Sequence, residues 1–377
     1  MRKLRVGIIC GGRSSEHEIS LRSARSVVQA LDRGRFDLTL IGIDHRGRWH
    51  RLEEARFLQI TSGELTALPE GGAEVLLPPV PGDGTLVESG QPPATLEQLD
   101  VIFPVLHGSF GEDGTVQGLL ELADIAYVGA GVLGSAVGMD KDVQKRLLRD
   151  AHIPIVPFAT VLCHRWSVAP HEATAAAAAL GYPVFVKPAN LGSSVGVSKV
   201  KREAELARAL ALAFEYDAKV LIEKGVEARE LECSVLGNDC PEASLPGEVC
   251  PQAEFYSYEA KYVDEQGASF VIPASLSPEQ TAAVRTLAVR SFQTIGCEGM
   301  ARVDFFLERH SGALYVNELN TIPGFTAISV YPKLWEVSGL PYTALISRLV
   351  DLALERHQRR RRLKTSYVPT ATGTRAG

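Results

Sequence analysis

Between residues 4 and 106 short apolar runs alternate with an amphipathic stretch, a rhythm that fits a parallel sheet with helices on its faces. The first run, residues 4–10, is followed by Gly11-Gly12 and a predicted helix over 19–31. Further strands are predicted over 38–43 and 101–106, the last ending at His107-Gly108. Residues 61–98, rich in Gly, Pro and Glu, read as long surface loops. A chain of 377 residues exceeds one ordinary core, so two or three domains are expected. The first is assigned to 1–138.

Beyond Gly138 the pattern changes. Asp140 is placed to cap a helix over 141–148. Strand, helix, strand, helix and strand follow at 159–162, 173–180, 183–187, 203–214 and 220–222, giving a small α+β unit over 139–225. The remainder, 226–358, carries longer strands, a helix at 278–295 and a final helix at 342–356. The fold class is thus α/β followed by α+β, with no internal repeat. The segment 359–377 begins with a basic run and reads as a frayed helix end plus a disordered tail, ahead of a nucleic-acid arm.

Composition narrows the function classes. Lys and Arg number 39 against 45 Asp and Glu, a net charge of −6, which argues against nucleic acid as a partner but leaves room for local phosphate clefts. No apolar run has transmembrane length, and residues 6–10 are too short for a signal peptide, so no membrane partner is expected. The six cysteines form no CxxC and no zinc spacing; they read as reduced thiols of a cytoplasmic protein.

Three constellations carry chemistry. Lys187 ends a strand and is followed by a loop containing Gly192, Ser193, Ser194 and Gly196, whose small side chains let backbone N–H groups close on a phosphate. It is not a Walker A loop, and a plain surface loop with a solvated lysine is an equal reading. Residues 301–308 and 313–320 alternate around the turn 309–312, an antiparallel hairpin. A register pairing Asp304 with Glu318 also pairs Arg302 with Asn320, gathering all four on one face. Two carboxylates and a carboxamide suit magnesium, ranked above the alternative of a merely solvated face because residues 305 and 307 already supply a core side. Third, Glu16 and His107 sit in loops at strand ends, the edge where parallel sheets bind ligands. Glu16 either grips an ammonium or only complements a helix dipole, and His107 either meets a carboxylate or is structural.

These segments together resemble the D-alanine–D-alanine ligase family of the ATP-grasp superfamily. The motifs are GGRSSEHEIS at 11–20, LHGSFGEDGTVQG at 106–118, MDK at 139–141, VKPANLGSSVGVSKV at 186–200, LIEKG at 221–225, EAKY at 259–262, ARVDFF at 301–306 and NELNTIPGFT at 317–326. They run in the family's order and cover nearly the whole chain except its tail.

The resemblance implies a three-domain ATP-grasp fold, in which an N-terminal parallel domain accompanies two α+β domains that clasp ATP. It implies ATP and D-alanine as ligands, Mg²⁺ (two ions, with Mn²⁺ possible) as cofactor, and a homodimer. Lys141, Lys187, Glu223, Lys224, Val226, Glu230, Lys261 and Phe306 would bind the nucleotide, and Asp304, Glu318 and Asn320 the metal. Arg302 would stabilise the transferred phosphoryl group. Glu16, Ser193 and Tyr262 would form a network around the first D-alanine beside His107, with Gly324 and Ser329 in the segment for the second. Residues 253–267 would be a mobile cover, and Tyr262 in it implies an amide rather than an ester product. A Gly-Asn-Asp turn at 237–239 follows the family's longer variant. Rivals are an ATP-grasp ligase for another substrate and a silent ATP-binding module. Glu16 and EAKY oppose the first, and the complete metal face opposes the second.

Overall fold

The computed structural model describes residues 2–61, 68, 72–82, 84–89, 95–251, 268–326 and 328–367. The expected cover at 253–267, with Lys261 and Tyr262, lies outside the described residues, as does the end of the tail from 368.

Leu4–Gly11 lies at the centre of the first sheet, parallel to Phe36–Ile43 on one side and Val101–Pro104 on the other. Ala126–Tyr127 extends the parallel side and Trp49–Leu52 closes the other edge antiparallel. Because both faces are covered, the central strands are apolar throughout rather than alternating. Val6, Ile8 and Phe103 pack with helix His17–Ala30 and with the C-terminal helix Tyr342–Arg361, which returns to this sheet from the far end of the chain. Ile9, Ile41 and Ile102 pack on the opposite side with Leu120 of helix Thr115–Leu122.

Residues 61–98 are not only loops: Val75–Leu76, Thr85–Glu88 and Thr95–Gln98 form a small antiparallel sheet. Val75, Leu77 and Leu86 anchor it in the core, but strands this short show no readable alternation. The basic run at 359 is not a frayed end either, because the helix continues to Arg361. Arg359 pairs with Asp239 and Glu298, Arg360 with Glu121, and Arg361 with Asp124 at 3.5 Å. Cations in a last helical turn also favour the dipole. Asn238, in the extra turn, donates to the Leu352 carbonyl, so that turn docks on the same helix.

The second sheet is antiparallel, ordered Ser198–Val200, Val184–Pro188, Lys219–Lys224, Phe158–Leu162. Its period-2 alternation separates two faces. Val161, Val184, Val186, Val220 and Ile222 pack on helices Pro170–Leu180 and Leu206–Phe214. Lys187 and Glu223 point the other way, toward helix Lys141–Asp150, whose Asp140 cap accepts from the backbone of Asp142 and Val143.

In the third sheet Ala228–Gly237 pairs with Gly299–Glu308, which pairs with Leu314–Asn320. Leu231, Cys233, Val235, Val303, Phe305 and Val316 pack beneath helix Pro278–Thr294. Alternation sends Glu230, Glu232, Arg302, Asp304 and Phe306 to the opposite face. Two sheets thus each cover one face with apolar helices and leave a polar face.

Candidate active site

The hairpin adopts the register expected from the sequence: Arg302 opposes Asn320 and Asp304 opposes Glu318, with a bulge immediately after Asp304. Arg302 clasps Asp304 with two contacts of 2.7 Å, and Asn320 donates to the same carboxylate at 3.0 Å. Glu232, which opposes Asp304 on the neighbouring strand, lies 3.2 Å from Arg302. Burial opposes the Arg302 charge, but Asp304, Glu232 and Glu318 outweigh it and hold its pKa well above the usual range.

Across from this face stand the lysines. Lys141, the first residue of its helix, is 3.3 Å from Glu318 and donates to the Leu191 carbonyl at 2.8 Å. Lys187 pairs with Glu223, which also pairs with Lys145 at 2.5 Å. Burial works against all three charges. Lys145 and Lys187 nevertheless hold Glu223 below the usual carboxylate range, and Glu223, Glu318 and Glu230 hold Lys187 above the usual lysine range. Glu318 and Glu230 therefore act on Lys187 from the other sheet. Glu230 and Phe306 are cross-strand partners. Lys224 and Val226 lie at the connection between the second and third sheets, where the Lys224 and Gly225 amides donate to the carbonyls of Pro157 and Pro183.

The loop after Lys187 places Ser193 and Ser194 at φ of 53° and 60°, a region that residues other than glycine seldom occupy. From this position the Ser193 hydroxyl donates to Glu16, linking the loop to the first sheet's carboxyl edge. Glu16 is buried; its amide donates to Ser14 Oγ at 2.9 Å, and the Ser14 hydroxyl donates to the His107 carbonyl at 2.7 Å. Gly108, at φ +75°, is required here, since a Cβ would stand 2.6 Å from Glu16 Oε2.

The His107 ring faces inward. Its Nδ1 lies 3.0 Å from the Ile322 carbonyl, which makes it the protonated nitrogen, and its Nε2 lies 2.9 Å from Ser23 Oγ. Ser23 in turn accepts from the Phe325 amide. Burial pushes the imidazole pKa down, so the ring is held neutral. With both nitrogens meeting protein groups, His107 anchors the segment 322–325. Gly324 and Ser329, expected together, are adjacent: a Cβ on Gly324 would stand 2.8 Å from Ser329 Oγ. That hydroxyl oxygen accepts from the Thr326 amide at 2.9 Å.

Three residues escaped the sequence reading. Glu112 accepts from the Gly108 amide at 2.7 Å and the Ile322 amide at 3.1 Å, bracing the same junction as His107. Burial and then the Glu16 charge push its pKa up to about 8. Glu232 and Lys145 are the others. Glu112 lies within a quoted motif, and Glu232 shares the alternating face of Glu230, a signal that was available. Lys145 had only its four-residue spacing from Lys141.

Among the described residues no three His, Cys, Asp or Glu side chains are grouped to hold a metal ion. The hairpin donors Asp304, Glu318 and Asn320 are two carboxylates and a carboxamide, all hard oxygen ligands of the kind magnesium takes. Among the described residues no single helix is long and apolar enough to cross a membrane.

The family description "D-ala D-ala ligase N-terminus" matches residues 5–130, and "D-ala D-ala ligase C-terminus" matches residues 147–351. The chain is similar to D-alanine–D-alanine ligase A of Salmonella typhimurium strain LT2, at 50% identity over 373 residues, covering 97% of this chain and 100% of that protein. Its structure is similar to that of the D-alanine-D-alanine ligase from Coxiella burnetii, with a TM-score of 0.81, 37% identity, and coverage of 96% of this chain and 97% of the other. It is also similar to VanG D-Ala:D-Ser ligase from Enterococcus faecalis, with a TM-score of 0.82, 34% identity, and coverage of 93% and 100%.

Proposed function

The chain belongs to the D-alanine–D-alanine ligase family, and from that premise we propose that its two facing polar sheets hold ATP and magnesium while the first sheet's carboxyl edge holds D-alanine. It is an ATP-dependent ligase that joins two D-alanines into D-alanyl-D-alanine, a building block of peptidoglycan. The observation that carries the site assignment is the hairpin register, which sets Arg302, Asp304, Glu318 and Asn320 on one face opposite Lys141 and Lys187.

The γ-phosphoryl group of ATP passes to the carboxylate oxygen of the first D-alanine, giving an acyl phosphate and ADP. The amine of the second then attacks the acyl carbon; phosphate leaves and a proton is released. Lys141 and Lys187 cradle the phosphates, with Glu223, Lys224, Val226, Glu230 and Phe306 around the nucleoside, as the resemblance implies. Phosphoryl transfer asks mainly for positioning and charge neutralisation. Arg302 supplies donors to charge that develops during transfer. Magnesium, held by Asp304, Glu318 and Asn320, would neutralise phosphate oxygens when bound.

Glu16, held by Ser193, receives the ammonium of the first D-alanine. His107 and Glu112 fix the segment 322–325 beside it, toward Gly324 and Ser329 for the second. Lys261 joins the nucleotide site and Tyr262 the network of Glu16 and Ser193, Mn²⁺ substitutes for Mg²⁺, the chain pairs as a homodimer, and its units span 1–138, 139–225 and 226–358. ATP consumption favours a cytoplasmic location.

ADP release tests the function when D-alanine, D-serine and D-lactate are offered separately and then in competition. D-alanyl-D-alanine should dominate. A mainly D-alanyl-D-serine or ester product would move the chain to a different branch of the family.

A further inference from the structure

Lys145 is wholly enclosed, yet the proposed reaction gives it no task. It lies one helical turn beyond Lys141 and so projects from the same side of its helix. Its ammonium meets Glu223 Oε1 at 2.5 Å, while Lys187 takes Glu223 Oε2. One carboxylate, 3% exposed, is therefore shared between two lysines.

The lysines differ in freedom. The Lys145 side chain has 0% exposure, whereas that of Lys187 has 11% and stands at the rim, where Glu318 and Glu230 act on it from across the cleft. A buried carboxylate stripped of its partner is costly. If Lys187 were the sole partner of Glu223, turning its ammonium to a phosphate would leave such a carboxylate behind. With Lys145 present, what remains is a neutral pair.

We propose that Lys145 is a positioning residue, the permanent counter-ion of Glu223 that frees Lys187 to engage the ATP phosphates. The inference rests on the assignment of Lys187 to those phosphates. It makes nucleotide affinity depend on a residue that never meets the nucleotide.

The test is calorimetric binding of ATP and of adenosine, in Mg²⁺ without D-alanine, to full-length wild type and five variants. Lys145→Met keeps an unbranched side chain of similar length. It should weaken ATP by about tenfold or more and leave adenosine within about twofold, because only the phosphates call on Lys187. Equal loss for both ligands would overturn the proposal, leaving Lys145 as a support for the nucleoside pocket. In the background of Lys187→Met, adding Lys145→Met should cost little further ATP affinity; additive losses would contradict the proposal. Lys145→Met/Glu223→Gln removes both buried charges and should bind ATP as Glu223→Gln does, which keeps the test open if the single variant fails to fold. Much weaker ATP binding than Glu223→Gln would overturn the proposal. The two readings separate cleanly: no ATP loss in Lys187→Met defeats the phosphate assignment itself, whereas loss there but none in Lys145→Met defeats only the role of Lys145.

Discussion

Glu318, on the returning strand of the hairpin formed by Gly299–Glu308 and Leu314–Asn320, lies 3.3 Å from the ammonium of Lys141, the first residue of a helix packed on another sheet. This contact joins the two polar faces, so the proposed phosphate-binding cation and a proposed metal ligand are neighbours. The Lys141 backbone amide is also fixed, donating to the Ala189 carbonyl at 3.0 Å.

Arg302→Ala should lower kcat by about 10²–10³ with a much smaller change in the ATP Kd, since its partner charge develops during transfer. Arg302→Lys should recover only part of the rate, because one ammonium cannot reproduce the two-point clasp on Asp304. Steady-state kinetics beside equilibrium nucleotide binding checks this. A raised Kd with kcat intact would make Arg302 a ground-state clamp.

Ser193→Ala removes the hydroxyl that holds Glu16. The KM for the first D-alanine should rise by about tenfold, the worth of one charge-assisted hydrogen bond, with the ATP Kd little changed. An equal rise for ATP would show the serine serving the phosphate loop instead.

Buried His107 should make the chain acid-sensitive. Its folded pKa lies below the ordinary 6.5, so the unfolded chain binds this proton more tightly. The stabilising contribution is complete above pH about 6.5 and is lost as pH falls through that value toward the folded pKa. Tm should therefore drop more steeply below that pH in wild type than in His107→Gln. Parallel curves would assign the acid loss to other groups.

Arg356, 2% exposed, fastens the C-terminal helix to the first sheet by donating to the Tyr127 carbonyl at 2.8 Å and to the Gly129 carbonyl, with its guanidinium 4.3 Å from the Tyr127 ring centre. Arg356→Met should cost about 3 kcal/mol by leaving buried carbonyls without donors. Denaturant unfolding measures it, and a loss under about 1 kcal/mol would mean that water or a rearranged side chain replaces the arginine.

What the sequence revealed and what it hid divide along physical lines. The hairpin's register and polar face were legible because alternation is local and a one-residue slip would bury Arg302 and Asp304. The Asp140 cap was legible because its partners lie two and three residues on. Glu112 and Lys145 were not assigned a role, because their partners Ile322 and Glu223 are remote in the chain and no local pattern encodes them. His107 was found with two readings open, because its inward orientation depends on Ser23 and Ile322, two segments that meet only in the fold. The basic run at 359 suggested a loose end because its acidic partners, Asp124, Glu121, Asp239 and Glu298, are all distant in sequence.

The central claim is that Asp304, Glu318 and Asn320 form a magnesium site facing the phosphate-binding lysines. Its most direct test is the rate of D-alanine-dependent ADP release across a Mg²⁺ titration, at saturating ATP and D-alanine, for wild type and Glu318→Gln. Wild type should be silent with the metal chelated and recover fully on adding it back. Glu318→Gln, having lost one ligand charge, should need roughly tenfold or more Mg²⁺ and reach a lower plateau. Full turnover of wild type under chelation, or a Glu318→Gln titration that overlays the wild-type curve, would contradict the account.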